Sequence, residues 1–207
     1  MDITLEDAIA LIEEKKFLEA KSILTDLLKD DDTNSEIWRY AGLCNVNLKM
    51  YKQAFLDFSK AVEINPNDAV AWYYFGNMAD KLKNYELAET AYKKVIELRP
   101  DYIDAYKSLV IMYLQTNQSE KIDEYEKAIF DLNSDDYQIF YMLGTVYMAT
   151  KRYEKAVQLF EKALEMHPGH ALILNNLGSA NLALAHLDEA LSAFEQALAA
   201  DDENPVT

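Results

Sequence analysis

Side chains able to do chemistry are sparse in this chain. Three histidines, His167, His170 and His186, and one cysteine, Cys44, supply every imidazole and thiol in its 207 residues. His167 and His170 flank Pro168-Gly169, and two histidines spaced i, i+3 can share a metal ion. No cysteine and no third histidine stands close to them in sequence, so the pair reads as a polar turn before a helix. Cys44, beside Leu43, reads as a small buried hydrophobe rather than a nucleophile. The carboxylate pairs Glu13-Glu14 and Asp188-Glu189 fall on outward helix faces, where water solvates them. No Gly-rich phosphate loop, nucleophile elbow or zinc-protease helix motif occurs. The expectation is therefore no catalysis, no cofactor and no metal.

Composition narrows the partners. Lys and Arg total 20 against 36 Asp and Glu, a formal charge of −16. That charge repels the phosphates that supply most nucleic-acid affinity, and anionic membrane surfaces likewise. No apolar run approaches the roughly 18 to 20 residues that span a bilayer. A lone cysteine cannot form an internal disulfide, and the acidic start from Met1 to Asp7 does not resemble a secretory signal. Cytoplasmic location is the expectation.

The elements that would hold any site are visible in the spacing of glycine, proline and tryptophan. Gly42, Gly76, Gly144 and Gly178 lie 34, 68 and 34 residues apart, Pro66, Pro100 and Pro168 lie 34 and 68 apart, and Trp38 and Trp72 lie 34 apart. One interval across three residue types marks an internal repeat. Cutting every 34 residues yields units 1–34, 35–68, 69–102, 103–136, 137–170 and 171–204, with 205–207 as the start of a further repeat or a tail. Each unit carries the apolar stripe of two helices. A glycine inside the first helix is costly by about 1 kcal/mol, so it is expected to let the two backbones approach, with the small Ala20, Ala54, Ala88, Ala156 or Ala190 opposite. The prolines end the second helices.

Trp72, Phe75, Gly76, Ala88, Tyr92, Val95 and Pro100 in the third unit, and Leu143, Gly144, Tyr147, Ala156, Phe160, Ala163 and Pro168 in the fifth, stand at the signature spacing of the tetratricopeptide repeat. The chain resembles that family over its whole length. The resemblance implies an all-α, right-handed superhelical solenoid of antiparallel helix pairs. Two units depart from the pattern. The first is polar and ends in Asp30-Asp31-Asp32, as an exposed solenoid end requires. The fourth has Val110 in the glycine place, and Tyr125-Glu126-Lys127-Ala128-Ile129 matches the second-helix motif one residue early. This predicts a turn one residue shorter after Thr116-Asn117-Gln118, a link one residue longer through Asn133-Ser134-Asp135-Asp136, and Lys121 where alanine packs elsewhere.

A fold of this kind does not assign a function. The resemblance implies a scaffold that binds a peptide or helix of another protein in a concave groove lined by first helices. The places carried over are Arg39 and Leu43; Tyr73, Asn77, Asp80 and Lys81; Lys107 and Ile111; Tyr141, Thr145 and Met148; and Asn175, Ser179 and Leu182. One variant of the family clamps the C-terminal carboxylate of heat-shock chaperones with Lys and Asn, then Asn, then Lys and Arg. Here Asn176 holds the middle place and Tyr141 and Thr145 precede it, so that clamp is absent. Units one, four and six carry −6, −5 and −6, the others 0, 0 and +1. This charge serves solubility or steers a basic partner. The sixth unit's Leu184, Leu187, Leu191 and Leu198 imply that the chain is part of a longer protein or that another copy covers this unit. Two alternatives stay open: an arm of a larger enzyme, such as a glycosyltransferase, and a solenoid that self-associates through its C-terminal repeat.

Overall fold

The computed structural model describes residues 3–132 and 136–202. Among them there are helices and no strands: α1 (Leu5–Glu13), α2 (Phe17–Asp30), α3 (Ser35–Asn47), α4 (Tyr51–Ile64), α5 (Ala69–Lys81), α6 (Tyr85–Leu98) and α7 (Ile103–Gln115). A 3-10 helix over Ser119–Tyr125 then leads into α8 (Glu126–Phe130), followed by α9 (Tyr137–Ala149), α10 (Tyr153–Met166), α11 (Ala171–Ala183) and α12 (Leu187–Asp202). The chain divides into two compact units, Met1–Ala105 and Tyr106–Thr207. Within the first, α1 to α6 pack in chain order, each on the next; within the second, α9 to α12 do the same. The fold class is all-α, built from consecutive helix pairs.

Short polar side chains start the first helix of a pair. Thr4 forms a capping box with Asp7, Asn34 accepts from the Glu36 amide, Asp68 from those of Val70 and Ala71, and Asp136 from that of Gln138. These oxygens satisfy amides that have no partner inside the helix. The indoles reinforce the preceding link: Trp38 Nε1 donates to the Asp32 carbonyl at 2.8 Å and Trp72 Nε1 to that of Pro66 at 2.9 Å. Pro66, Pro100 and Pro168 lie in the turns after the second helices, as the spacing predicts.

Each first helix ends in one backbone conformation that the sequence does not advertise. Lys15, Lys49, Lys83, Asn117, Lys151 and Ala185 have φ between 56° and 62°. The amide of Lys49 donates to the Val46 carbonyl at 3.0 Å and that of Met50 to Asn45 at 2.8 Å, and the other five turns repeat this pattern. This is a helix stop whose left-handed residue is normally glycine, yet here it is mostly lysine.

The glycine place works differently from the expectation. A Cβ on Gly42 would sit 2.7 Å from the Phe58 ring, on Gly76 2.7 Å from Tyr92, on Gly144 2.6 Å from Phe160 and on Gly178 2.6 Å from Phe194. The space a side chain would fill is occupied by an aromatic ring from the paired helix, not by a close approach of backbones around alanine. Phe58, Tyr92 and Phe160 are buried by this fit. The fourth unit changes both halves of it, with Val110 for the glycine and Glu126 for the ring.

The fourth unit also corrects two expectations. Asn117 keeps the left-handed turn in register with the other five, so the turn is not shortened. What changes is the winding after it, where the second helix begins as a 3-10 segment instead of α. Ile122 and Ile129, not Lys121, hold the fully buried places, while Lys121 is half-buried and lies over the Tyr113 ring at 5.5 Å. Of the longer link, Asn133, Ser134 and Asp135 lie outside the described residues, as do 203–207.

Candidate partner-binding surface

The carried-over residues divide into those engaged inside the chain and those left exposed. Arg39, on α3, lies 3.1 Å from Glu36 and, through Nε, 3.1 Å from Asp68, the residue that caps α5. That second contact is an ion pair rather than an aligned hydrogen bond, because Nε is buried with no hydrogen-bond partner. The guanidinium also stacks on Tyr40 at 4.7 Å. Lys107 repeats the arrangement in the other unit: its Nζ donates to Asp136, the cap of α9, and to Gln138 at 3.1 Å. Between them in the repeat, Tyr73 meets Tyr102 at a centroid distance of 5.1 Å. Arg39 with Asp68, Tyr73 with Tyr102 and Lys107 with Asp136 occupy the same two places, 29 residues apart. Each ties a first helix to the start of the next repeat, as an ion pair or as a tilted contact of two rings.

Other predicted positions are also engaged. Asn77 accepts from the hydroxyl of the buried Tyr92 at 2.9 Å. Asp80 is half-buried, and burial pushes its carboxyl above the usual range against the opposing pull of Lys81. Lys81 is exposed with its ammonium over the Tyr51 ring at 5.2 Å. The Tyr141 hydroxyl accepts from Asn176 at 3.3 Å, and the Thr145 hydroxyl bonds back to the Met142 carbonyl at 2.7 Å. Leu43 and Met148 are half-buried, and Ile111 is 42% exposed.

On α11 the picture differs. Asn175 and Ser179 are exposed, and Leu172 and Leu182 are exposed by 52% and 54%. The four follow i, i+3, i+7, i+10, so they share one face of the helix. Leu172 was not among the places carried over. Its helical spacing from Asn175 and Ser179 is a sequence signal, but exposure decides whether such a leucine packs or faces out. The serine hydroxyl bonds back to the Asn175 backbone carbonyl at 2.9 Å, and the exposed Asn175 side-chain amide makes no hydrogen bond seen among the described residues.

The residues first weighed for chemistry are placed clearly. Cys44 is fully buried, and burial pushes its thiol up to about 11. His167 meets Tyr137 and His170 edge-to-face, the two imidazole centroids 5.1 Å apart, and Tyr137 and His170 are tilted to each other. Among the described residues, no group of three or more His, Cys, Asp or Glu could hold a metal ion, and no helix is long and apolar enough to cross a membrane.

Comparison with known proteins agrees with this architecture. Tetratricopeptide repeat family models match residues 41–68, 69–102 and 136–203. No curated protein sequence matches the chain. Similar solved structures include YrrB, a TPR protein with an unusual peptide-binding site, at 18% identity over 87% of this chain and 93% of that one, with a TM-score of 0.70. The C-terminal part of a TPR repeat-containing protein from Cytophaga hutchinsonii shares 20% identity over 95% of this chain and 79% of that one, with a TM-score of 0.82. PilF of Pseudomonas aeruginosa shares 17% over 91% and 86%, with a TM-score of 0.70. Likeness at these identities concerns the fold. From the repeat spacing, the helix pairs and the matched family models together, the chain belongs to the tetratricopeptide repeat family.

Proposed function

We propose that the protein is a non-catalytic interaction scaffold that binds a peptide or helical segment of another protein on the outward stripes of its first helices. The observation that carries this reading is the α11 stripe, where Leu172 and Leu182 bracket Asn175 and Ser179, all exposed. Leucines contribute area and an unengaged asparagine amide can bond an extended backbone. The peptide-binding YrrB, of the same fold, supports this mode of use. Peptides selected from a random displayed library should bind the wild-type chain and lose at least tenfold in affinity with Leu172→Ser/Leu182→Ser. Because both leucines are exposed, that variant should melt as the wild type does. Undiminished binding would move the site elsewhere.

A second reading rests on a different observation. On α12, Leu187, Leu191 and Leu198 are exposed by 63%, 58% and 69% and lie on one face. A second copy packed there would remove this apolar stripe from water. Light scattering over a concentration series should show mass rising above the monomer in wild type and not in Leu187→Lys/Leu191→Lys; a constant monomer mass rejects self-association.

A further inference from the structure

In the first unit, two turns carry a charge opposite to that of the chain. Residues 48–53, Leu48-Lys49-Met50-Tyr51-Lys52-Gln53, and residues 81–84, Lys81-Leu82-Lys83-Asn84, hold four lysines and no carboxylate. The two segments meet in space. Residues 49–53 line an open pocket of about 490 Å³ together with Leu82, and the Lys81 ammonium lies over the Tyr51 ring at 5.2 Å. From α2, Lys21 reaches the Met50 sulfur at 3.3 Å.

Lys49, Lys52, Lys81 and Lys83 are exposed, and among the described residues none of them makes an ion pair. Two carboxylates act on the group, Asp57 on Lys21 and Asp80 on Lys81. Asp57 is buried and accepts from Asn45 and Gln53, and Asp80 is half-buried, so the exposed charge of the patch is positive. Lys49 and Lys83 also stand where the backbone favours glycine, with φ at 60° and 62°. The fold does not need a cation there, because Ala185 takes the same place in the sixth unit. Other turns of this type are neutralised: Lys16 pairs with Glu14 beside Lys15, and Arg152 with Asp123 beside Lys151.

Between the lysines the pocket is apolar. Met50 and Leu82 are exposed by 45% and 37%, and apolar surface rimmed by polar groups marks an interaction site. A methionine wall adapts to the shape of what it meets, and the volume lies in the range of pockets that enclose a ligand group. Lysine ammoniums are point charges without arginine's fork, so they attract carboxylates without a fixed geometry. A nucleic acid or a lipid surface would also meet the chain's charge of −16, whereas a short segment meets the patch alone. We propose that the α3–α4 and α5–α6 turns bind a short acidic peptide of another protein, one apolar side chain seated between Met50 and Leu82 and carboxylates on either side against Lys49, Lys52, Lys81 and Lys83. This surface is additional to the α11 stripe and shares no residue with it.

The probe is a fluorescently labelled Glu-Glu-Phe-Glu-Glu peptide, followed by anisotropy at low salt. It should bind wild type saturably, at least tenfold tighter than Glu-Glu-Gly-Glu-Glu or Gln-Gln-Phe-Gln-Gln, and weaken as salt is added. Lys49→Gly/Lys83→Gly should lose at least tenfold in affinity while melting no lower than wild type, since glycine suits both turns. Lys52→Gln/Lys81→Gln, which leaves the left-handed positions untouched, should lose as much. Leu172→Ser/Leu182→Ser should bind this peptide as wild type does, which separates the site from the α11 stripe. The proposal is overturned if wild type does not bind, if the three peptides bind alike, if either lysine variant binds undiminished, or if the leucine variant loses binding. It is overturned too if duplex DNA or phosphatidylserine vesicles bind the lysines more tightly than the peptide does. A rise in mass by light scattering that Lys49→Gly/Lys83→Gly abolishes would make a second copy the occupant, and would overturn it as well.

Discussion

At the scale of single residues, what a side chain does here depends on a partner many positions away. Arg39 and Lys107 read in sequence as cations free for a peptide, but each is held by the aspartate that caps the next repeat's first helix. Spacing within one helix shows which residues share a face; it does not show that a residue 29 positions on will occupy the charge. Cys44 was legible, because an isolated cysteine in an apolar helix is more stable buried than exposed. With its thiol pushed up to about 11 by burial, native protein at pH 8 should react with a disulfide reagent at least about 100-fold more slowly than the denaturant-unfolded chain. Comparable rates in the two states would show that the helix pair opens around it. Asp57 was not legible, since nothing in sequence marks an aspartate on an amphipathic helix as buried. Burial raises its carboxyl despite the hydrogen bonds from Gln53 and Asn45. A folded-state pKa above the unfolded one means that its contribution to stability is present below about 3.8 and is lost as pH rises through the folded value. Asn45→Ala/Asp57→Ala should therefore equal or exceed wild type at pH 7, by up to about 2 kcal/mol, with the gain shrinking toward pH 4. Urea unfolding at the two pH values measures this, and a loss above about 1 kcal/mol at pH 7 contradicts it.

At the scale of elements, the 34-residue interval located the helix pairs and the proline turns, because the repeat constrains backbone ends and core places most tightly. It did not reveal what each constrained residue touches. The glycines were legible as special; that a ring from the paired helix fills each one was not, because a missing side chain has no chemical type to read. Gly144→Ala should cost about 1–3 kcal/mol, since its Cβ would lie 2.6 Å from Phe160. Phe160→Leu added to it should cost less than the two changes summed, by more than about 0.5 kcal/mol in a double-mutant cycle. Strict additivity would refute the ring-over-glycine packing. The left-handed helix stops were also invisible, as lysine is not the residue that conformation favours. Lys83 adopts φ 62° with a Cβ that glycine lacks. Lys83→Gly should stabilise the protein by about 0.5–1 kcal/mol, and Asn117→Gly by less, since asparagine already tolerates this region. Thermal melts of both variants test the order. The 3-10 start of the fourth unit's second helix left only an indirect trace, a motif one residue out of step.

At the scale of the whole molecule, a charge of −16 works against contact with phosphates, and the scaffold role proposed above would place a partner on first-helix surface. Among the places carried over, Asn175 and Ser179 are exposed on α11, and Leu172, which the resemblance did not carry over, shares their face. Tyr73 and Asn77, also places carried over for the groove, make a poor test pair, because removing Asn77 leaves the buried Tyr92 hydroxyl without its acceptor. The most direct measurement is affinity capture from native lysate with three baits: wild type, Leu172→Ser/Asn175→Ala/Leu182→Ser, and Asn45→Ala/Asp57→Ala, whose changes lie away from the stripe. The scaffold account predicts a protein retained by the first and third baits and lost from the second, with all three melting as folded proteins. The same partners on all three baits, or none on any, would contradict it.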